Sequence, residues 1–115
     1  MKIKERTEKD IVIVEPSGEV DFYNSSAMRE RFDNLTKQKR EAILVNLVRV
    51  TYIDSSGLAT LIELMQKMNK YGGKLKLSGL NQTVRDTFEV SKLINVFSIY
   101  SDEQEALKAF EVVTP

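Results

Sequence analysis

Two kinds of apolar segment alternate along the sequence, and this alternation most limits the folds that the chain can adopt. Short apolar or β-branched runs predict strands, whereas apolar residues that recur every three or four positions predict helices. By these rules, the 115 residues predict the element order ββαβαβαβα. Strands that alternate with helices are typical of an α/β domain, in which helices cover a mostly parallel sheet.

The predicted strands begin with an antiparallel hairpin. Ile3 belongs to the first strand and Ile11 to Val14 form the second, with a connection around Glu8-Lys9-Asp10. The second strand is expected to end at Pro16-Ser17-Gly18, because proline and glycine favour turns. The apolar run from Ala42 to Val48 is too short for an ordinary helix and predicts a central strand covered on both faces. Two more strands are expected, over Lys74 to Ser78 and Val96 to Tyr100.

Four amphipathic helices are predicted, each with a capping signal at its start. The first covers Ser26 to about Gln38, and the second begins near Ser55 and stops at Gly72-Gly73. The candidate N-caps are, in chain order, Asn24, Ser25 or Ser26; Asp54 or Ser55; Asn81; and Ser101 or Asp102. The residues expected to face inward are Met28, Phe32 and Leu35; Leu58, Leu61, Ile62, Met65 and Met68; Val84 and Phe88; and Ala106, Leu107 and Phe110.

The composition disfavours several kinds of chemistry. The chain contains no cysteine and no histidine, so disulfides, thiolate nucleophiles and imidazole bases are absent, and no metal or cofactor is expected. The 17 basic residues equal the 17 acidic ones, so no excess charge favours nucleic acid or an anionic membrane. The apolar stretches fall far short of the roughly 20 residues needed to cross a bilayer, and the N-terminus has no apolar signal core. We therefore expect a single cytoplasmic domain over residues 1–115.

The segment Asp54-Ser55-Ser56-Gly57 is the clearest candidate site, because it connects a short apolar segment to the second predicted helix. Free backbone N–H groups and the positive end of the helix dipole favour an anion at such a junction, so the segment suits a phosphate. Helix capping without further function is the simplest alternative reading. The two roles are compatible, since Ser55 is able to cap the helix and still receive a phosphate.

Two enzymatic readings of the same segment are disfavoured. A serine hydrolase needs a base for its serine, and the chain has neither a histidine nor a Gly-x-Ser-x-Gly elbow. A phospho-aspartate receiver needs further carboxylates for Mg²⁺, and the strand Ile11 to Val14 ends without an acidic pair. The serine is therefore expected to be acted upon by another protein rather than to act itself.

The sequence from Asn46 to Leu58, followed by a leucine-rich helix that ends in Gly-Gly, closely resembles the signature of STAS domains of the bacterial anti-sigma-factor antagonist type. Gly18-Glu19-Val20-Asp21 resembles the Gly-x-x-Asp of that family, and the likeness extends over essentially the whole chain. Ala59 departs from the pattern, because many relatives have glycine there. The resemblance implies a single STAS domain over residues 1–115, with a mixed, mostly parallel sheet, an N-terminal hairpin and about four helices.

The resemblance also implies a function. Such antagonists, when unphosphorylated, bind an anti-sigma factor that is also a serine protein kinase, and they thereby release the sigma factor to RNA polymerase. Phosphorylation of the hydroxyl after the aspartate, here Ser55, ends binding, and a metal-dependent serine phosphatase restores it. The family pattern assigns partner binding to Asp21, Asn46, Asp54, Ser56 and Gly57. A STAS-type scaffold or adaptor subunit of a sensory or transport complex, with no sigma-factor role, remains the alternative.

Overall fold

The computed structural model describes residues 1–111, so residues 112–115 of the predicted domain lie outside the described part. Six strands and four helices follow one another in the order ββαββαβαβα. Their bounds are β1 Lys2–Glu8, β2 Ile11–Val20, α1 Ser25–Lys37, β3 Ala42–Asn46, β4 Val50–Ile53, α2 Ser55–Asn69, β5 Lys74–Ser78, α3 Gln82–Val90, β6 Ser98–Tyr100 and α4 Glu103–Phe110. None of the helices within residues 1–111 combines the length and hydropathy needed to cross a membrane.

The strands form one mixed sheet in the order β1-β2-β3-β5-β6, with β4 beside the second half of β2. The β1–β2 pair is antiparallel and every other pair is parallel. Strand β3 lies at the centre, and its last four residues are buried. The predicted α/β class, the N-terminal hairpin, the central strand and the four helices are thus confirmed.

A tight turn closes the hairpin where the sequence predicts it. Lys9 and Asp10 adopt positive φ angles of 50° and 66°, respectively. Two consecutive left-handed residues match the right-handed twist of the flanking strands, as in a type I′ turn. The turn fixes the register in which Glu8 pairs with Ile11.

The prediction that β2 ends at Pro16-Ser17-Gly18 is wrong, because the strand continues to Val20. Residues 12–14 of β2 pair with β3, and residues 18–20 pair with β4. Pro16 lies between these two ladders, where a missing N–H removes no parallel hydrogen bond. Gly18 has a φ of +93°, and the register shifts after it, so the glycine marks an irregularity in the strand rather than a turn.

The predicted element order is wrong in one further respect, since it omits β4. This strand has only four residues, and its two central ones, Thr51 and Tyr52, are exposed. It therefore lacks the apolar run by which a short buried strand is recognised. The predicted extension of the preceding strand to Val48 is also wrong, because β3 ends at Asn46 and Val48 is exposed.

The sheet is covered on both faces, as the nearly continuous apolar strands predict. Val12 and Val14 of β2 point into a large core with helices α1, α2 and α3, whereas Ile11 and Ile13 point to the α4 side and pack near Ala106. Most of the helix residues expected to face inward are buried or half-buried in these two clusters. Leu64, which the predicted stripe omits, is also buried.

Charged side chains join α1 to α2 along their exposed faces. Arg29 Nε lies 3.0 Å from Glu63 Oε2, and Lys67 Nζ lies 3.0 Å from Glu63 Oε1 and 2.7 Å from Asp33 Oδ1. The hydrogen bond from Lys67, with a further one from Arg29, lowers the pKa of Glu63 despite partial desolvation. The network joins α1 to α2, and both helices begin next to the candidate site.

Truncation of Phe88 tests the packing of the main core. Phe88 is fully buried and makes an edge contact with Phe97, with ring centroids 5.7 Å apart. We expect Phe88→Ala to lower the free energy of unfolding by about 3–5 kcal/mol in urea denaturation. Val90→Ala is the matched control on the same helix, because Val90 is 84% exposed; its effect should stay within about 0.5 kcal/mol. Equal effects of the two substitutions would contradict the packing described.

The Glu63 network predicts a pH-dependent stability. Because the folded-state pKa of Glu63 lies below its ordinary value, its interactions stabilise the fold above the unfolded-state pKa and are lost as the pH falls through the folded-state pKa. Urea denaturation of wild type and Glu63→Gln should differ most near neutral pH, with wild type the more stable, and the difference should shrink as the solution is acidified. A difference that is constant over this range would mean that the charge of Glu63 is not responsible.

Candidate functional site

Asp54 connects β4 to α2 and caps the helix. Its backbone is extended, with φ −108° and ψ −173°, and its Oδ1 accepts hydrogen bonds from the amides of Ser56 at 2.9 Å and Gly57 at 3.1 Å. Two of the N–H groups that a helix leaves unpaired at its start are thereby satisfied. The prediction of a cap at this junction is confirmed, with Asp54 as the capping residue.

Ser55 is the first residue of α2 and is exposed. The expectation that Ser55 itself caps the helix is wrong, because Asp54 takes that role. Within residues 1–111, the hydroxyl of Ser55 makes no hydrogen bond to another side chain or to the backbone. It therefore projects from the start of the helix and takes no part in capping it.

The second oxygen of Asp54 reaches the loop between β2 and α1, which comprises residues 21–24. Asp54 Oδ2 accepts a hydrogen bond of 3.1 Å from the amide of Phe22. Within the loop, Asp21 Oδ1 accepts 3.0 Å hydrogen bonds from the amides of Tyr23 and Asn24. The two carboxylates thus organise the loop, and Asp54 joins it to the start of α2.

Gly57 lets the first turn of α2 approach the sheet. A Cβ atom at this position would lie 2.6 Å from both Ile53 Cγ1 and the carbonyl oxygen of Val20. The carbonyl belongs to the backbone of β2 and has little freedom to retreat. Gly57 is buried, and because it has no side chain, the start of α2 with Asp54 and Ser55 lies close to the end of β2.

Ser56 is half-buried beside Ser55 and belongs to a local chain of hydrogen bonds. Its amide donates to Asp54, and its carbonyl oxygen accepts from the Thr60 hydroxyl at 3.0 Å. The guanidinium of Arg29 in turn donates to the Thr60 hydroxyl at 3.3 Å. These contacts anchor the first turn of α2 to α1 and leave Ser55 as the more accessible of the two serines.

Asn46 lies apart from this cluster, at the buried end of β3. Its Oδ1 accepts from the amide of Val48 at 3.1 Å, and its Nδ2 donates to Glu103 Oε1 at 3.1 Å. The side chain therefore shapes the connection that leads from β3 into β4. The structure brings Asp21, Asp54, Ser55, Ser56 and Gly57 together, whereas Asn46 lies apart from them and contacts Val48 and Glu103.

An exposed pair of aromatic side chains beside this cluster was not identified from the sequence. Phe22 is 73% exposed and Tyr23 is 85% exposed. Their rings make an edge-to-face contact, with centroids 5.5 Å apart. Both residues lie in a loop, so no periodic pattern identifies them. The available signal is the placement of two large aromatics directly after Asp21, where a loop ordinarily carries small polar residues.

The described residues contain no cluster of three or more acidic, histidine or cysteine side chains that would hold a metal ion. The cluster around Ser55 offers instead an exposed hydroxyl, two carboxylates engaged with backbone amides and a neighbouring apolar surface. This arrangement suits recognition by another protein.

Comparison with known proteins first defines the class. The STAS domain profile matches residues 2–106, so the chain belongs to the STAS domain family. Two relatives within that family are named as antagonists of anti-sigma factors. The anti-sigma F factor antagonist of Paenibacillus polymyxa is 29% identical over 115 residues, which span 99% of this chain and 98% of that protein. The anti-sigma-B factor antagonist of Bacillus subtilis (strain 168) is 31% identical over 94 residues, which span 82% of this chain and 84% of that protein.

Solved structures of antagonists share the fold. An anti-sigma factor antagonist from Mycobacterium paratuberculosis superposes with a TM-score of 0.89 at 21% identity, over 96% of this chain and 94% of that one. SpoIIAA in its unphosphorylated form gives 0.77 at 18% identity, over 97% and 100% of the two chains. Bacillus SpoIIAA in the phosphorylated form gives 0.74 at 22% identity, over 95% and 99%. The architecture described above is thus the STAS fold.

A pair of opposite substitutions in α2 tests the role of Gly57. In an unhindered helix, alanine is about 1 kcal/mol more favourable than glycine. We expect Gly57→Ala to destabilise the protein by about 1–3 kcal/mol instead, because the new Cβ meets the Val20 carbonyl. Ala59→Gly, at an exposed position of the same helix, should cost about 1 kcal/mol through propensity alone. A Gly57→Ala variant that unfolds at higher urea than wild type would refute the close approach.

Proposed function

We propose that this protein is a phosphorylation-controlled antagonist of an anti-sigma factor. The unphosphorylated form binds an anti-sigma factor that is also a serine protein kinase, and the sigma factor is released. The kinase then phosphorylates Ser55 and binding ends, until a metal-dependent serine phosphatase removes the phosphate. The protein is a regulatory binding partner and a kinase substrate rather than an enzyme, and it acts in the cytoplasm, where sigma factors meet RNA polymerase.

One observation supports this proposal above the others. Asp54 caps α2, so the adjacent Ser55 hydroxyl is exposed and has no capping task. A hydroxyl engaged in holding the helix would have to leave its partner before it entered a kinase active site. Here phosphorylation costs the fold little, and the similarity to two proteins named as antagonists of anti-sigma factors supports the same role for this chain.

The charge of the phosphate accounts for release. A phosphoserine carries about −1.5 to −2 charges at neutral pH. The positive end of the α2 dipole favours this charge, but Asp54 already accepts from the amides of Ser56 and Gly57, and its carboxylate repels the phosphate. At a protein interface, a desolvated dianion without a matched cation weakens binding about tenfold for each 1.4 kcal/mol of cost. No change of fold is required.

The neighbouring residues contribute in two ways. Asp21 and Asp54 fix the surface that surrounds Ser55, and Ser56 lies beside it within the partner's reach. Gly57 and Asn46 act indirectly, because both are buried and set the positions of α2 and β4. In this proposal, substitutions of the first group alter partner affinity, whereas substitutions of the second group alter stability as well.

Ser55 substitutions test the proposal against each anti-sigma factor kinase of the source organism, purified and supplied with ATP. Intact-mass analysis should find one added phosphate on wild type, none on Ser55→Ala and one on the matched control Ser56→Ala. Titration calorimetry should show that Ser55→Ala binds the kinase as tightly as unphosphorylated wild type. Ser55→Asp, which adds a charge at the same position, should bind at least about tenfold more weakly.

Two results would contradict the proposal. Phosphate on Ser55→Ala would move the acceptor to another residue. Absence of both binding and phosphate with every kinase of the organism would favour the alternative, a STAS-type scaffold or adaptor subunit without a sigma-factor role.

A further inference from the structure

The loop of residues 21–24 exposes the aromatic pair, Phe22 and Tyr23, to solvent. At 73% and 85% exposure, the two rings are among the most exposed large apolar side chains of the described residues. They contact each other edge to face and so form one apolar surface rather than two isolated side chains. Exposed apolar surface of this kind, when surrounded by polar residues, marks a site of interaction.

The loop that carries the aromatic pair is held by side-chain hydrogen bonds. The amide of Phe22 is bound by Asp54, and the amides of Tyr23 and Asn24 are bound by Asp21. The Asn24 side chain also donates to the carbonyl oxygen of Glu19 at 3.1 Å. A partner would therefore meet a backbone that is already ordered, and binding would not have to pay for ordering it.

The aromatic pair and Ser55 belong to one surface, because Asp54 holds both. Its Oδ2 binds the amide of Phe22, and its Oδ1 caps the helix that begins at Ser55. A protein that brings its active site to Ser55 thus reaches the aromatic pair in the same encounter. The carboxylate of Asp54 is the side chain that links the two directly.

The charges around this surface are acidic. Glu19, Asp21 and Asp54 carry carboxylates next to the loop, and the guanidinium of Arg29, which reaches Thr60 behind Ser56, is paired with Glu63. A complementary partner therefore offers an apolar pocket bordered by cationic groups. The same acidic surroundings disfavour association with a second copy of this chain through this surface, since like charges would face each other.

We propose that Phe22 and Tyr23 are the anchor residues through which this protein binds the anti-sigma factor kinase, by insertion of both rings into an apolar pocket bordered by cations. This inference rests on the proposed function and assigns affinity and switching to different residues. The aromatic pair supplies most of the affinity of the unphosphorylated form, as central aromatics do in other interfaces. Ser55 supplies the switch, because the cations of the pocket are matched by the carboxylates of Glu19, Asp21 and Asp54, and the phosphate adds a dianion for which no cation remains.

The test compares three full-length variants with wild type against the same purified kinase. We expect Phe22→Ala/Tyr23→Ala to raise the dissociation constant by about 30-fold or more in titration calorimetry. The conservative Phe22→Leu/Tyr23→Phe variant should recover most of that loss. Val90→Ala, which truncates an equally exposed apolar residue at the end of α3, should bind within about twofold of wild type.

Kinase assays separate anchoring from damage to the acceptor. With the double alanine variant, KM for phosphorylation should rise by a factor similar to that of the dissociation constant, whereas kcat should stay within about threefold of wild type, because Ser55 and its cap are untouched. The circular dichroism spectrum should be unchanged, and the free energy of unfolding in urea should stay within about 0.5 kcal/mol of wild type, since both rings are exposed.

The outcomes distinguish this inference from the proposed function. If wild type binds the kinase and is phosphorylated while the double alanine variant binds within twofold of it, the anchoring role is wrong and the switch at Ser55 stands. If wild type neither binds nor accepts phosphate, both are wrong. If sedimentation shows that wild type is a dimer and the double alanine variant a monomer, the rings join two copies of this chain and the inference is overturned.

Discussion

The carboxylate of Asp54 is the interaction on which the site depends. One oxygen accepts hydrogen bonds from two amides at the start of α2. The other accepts a hydrogen bond from the amide of Phe22 in the neighbouring loop. Neither contact alone would fix Ser55 relative to the loop of residues 21–24. Together they relieve Ser55 of a structural role and place it beside a loop that Asp21 and Asn24 also help to order.

The sheet topology places Asp54 next to the loop of residues 21–24. Strand β4 is parallel to the last residues of β2, so the ends of both strands lie at the same edge of the sheet. The loop after β2 and the helix after β4 therefore start next to each other, and the absent side chain of Gly57 brings them closer still. The position of the exposed Ser55 is therefore set by backbone geometry rather than by a pocket.

Sequence reasoning succeeded where a physical signal is local and repeated. The buried stripe of α2, the turn at Lys9-Asp10 and the cap of α3 at Asn81 each depend on neighbours within a few positions, and all three were predicted. It failed at β4 and at the second half of β2, because their pairing is long-range and their residues are partly exposed. Pro16 and Gly18 read as a turn, since no local rule shows that two different strands flank them.

The residues of the candidate site show the same difference between local signals, which the sequence reveals, and long-range contacts, which it does not. Asp54 and Ser55 were found from a junction motif and a resemblance, but which of the two caps the helix depends on side-chain geometry that spacing does not specify. The aromatic pair was missed because a loop has no period. Its exposure, and the hydrogen bond from the Phe22 amide to Asp54, which is 32 positions away in the sequence, are visible only in the folded chain.

The divided pairing of β2 places the candidate site and the central sheet on separate ladders. Its first half is locked between β1 and β3 in the middle of the sheet, whereas its second half, past the irregularity at Gly18, carries β4 as a separate short ladder. The register shift after Gly18 thus separates the short ladder that leads into Asp54 and Ser55 from the ladder at the centre of the sheet.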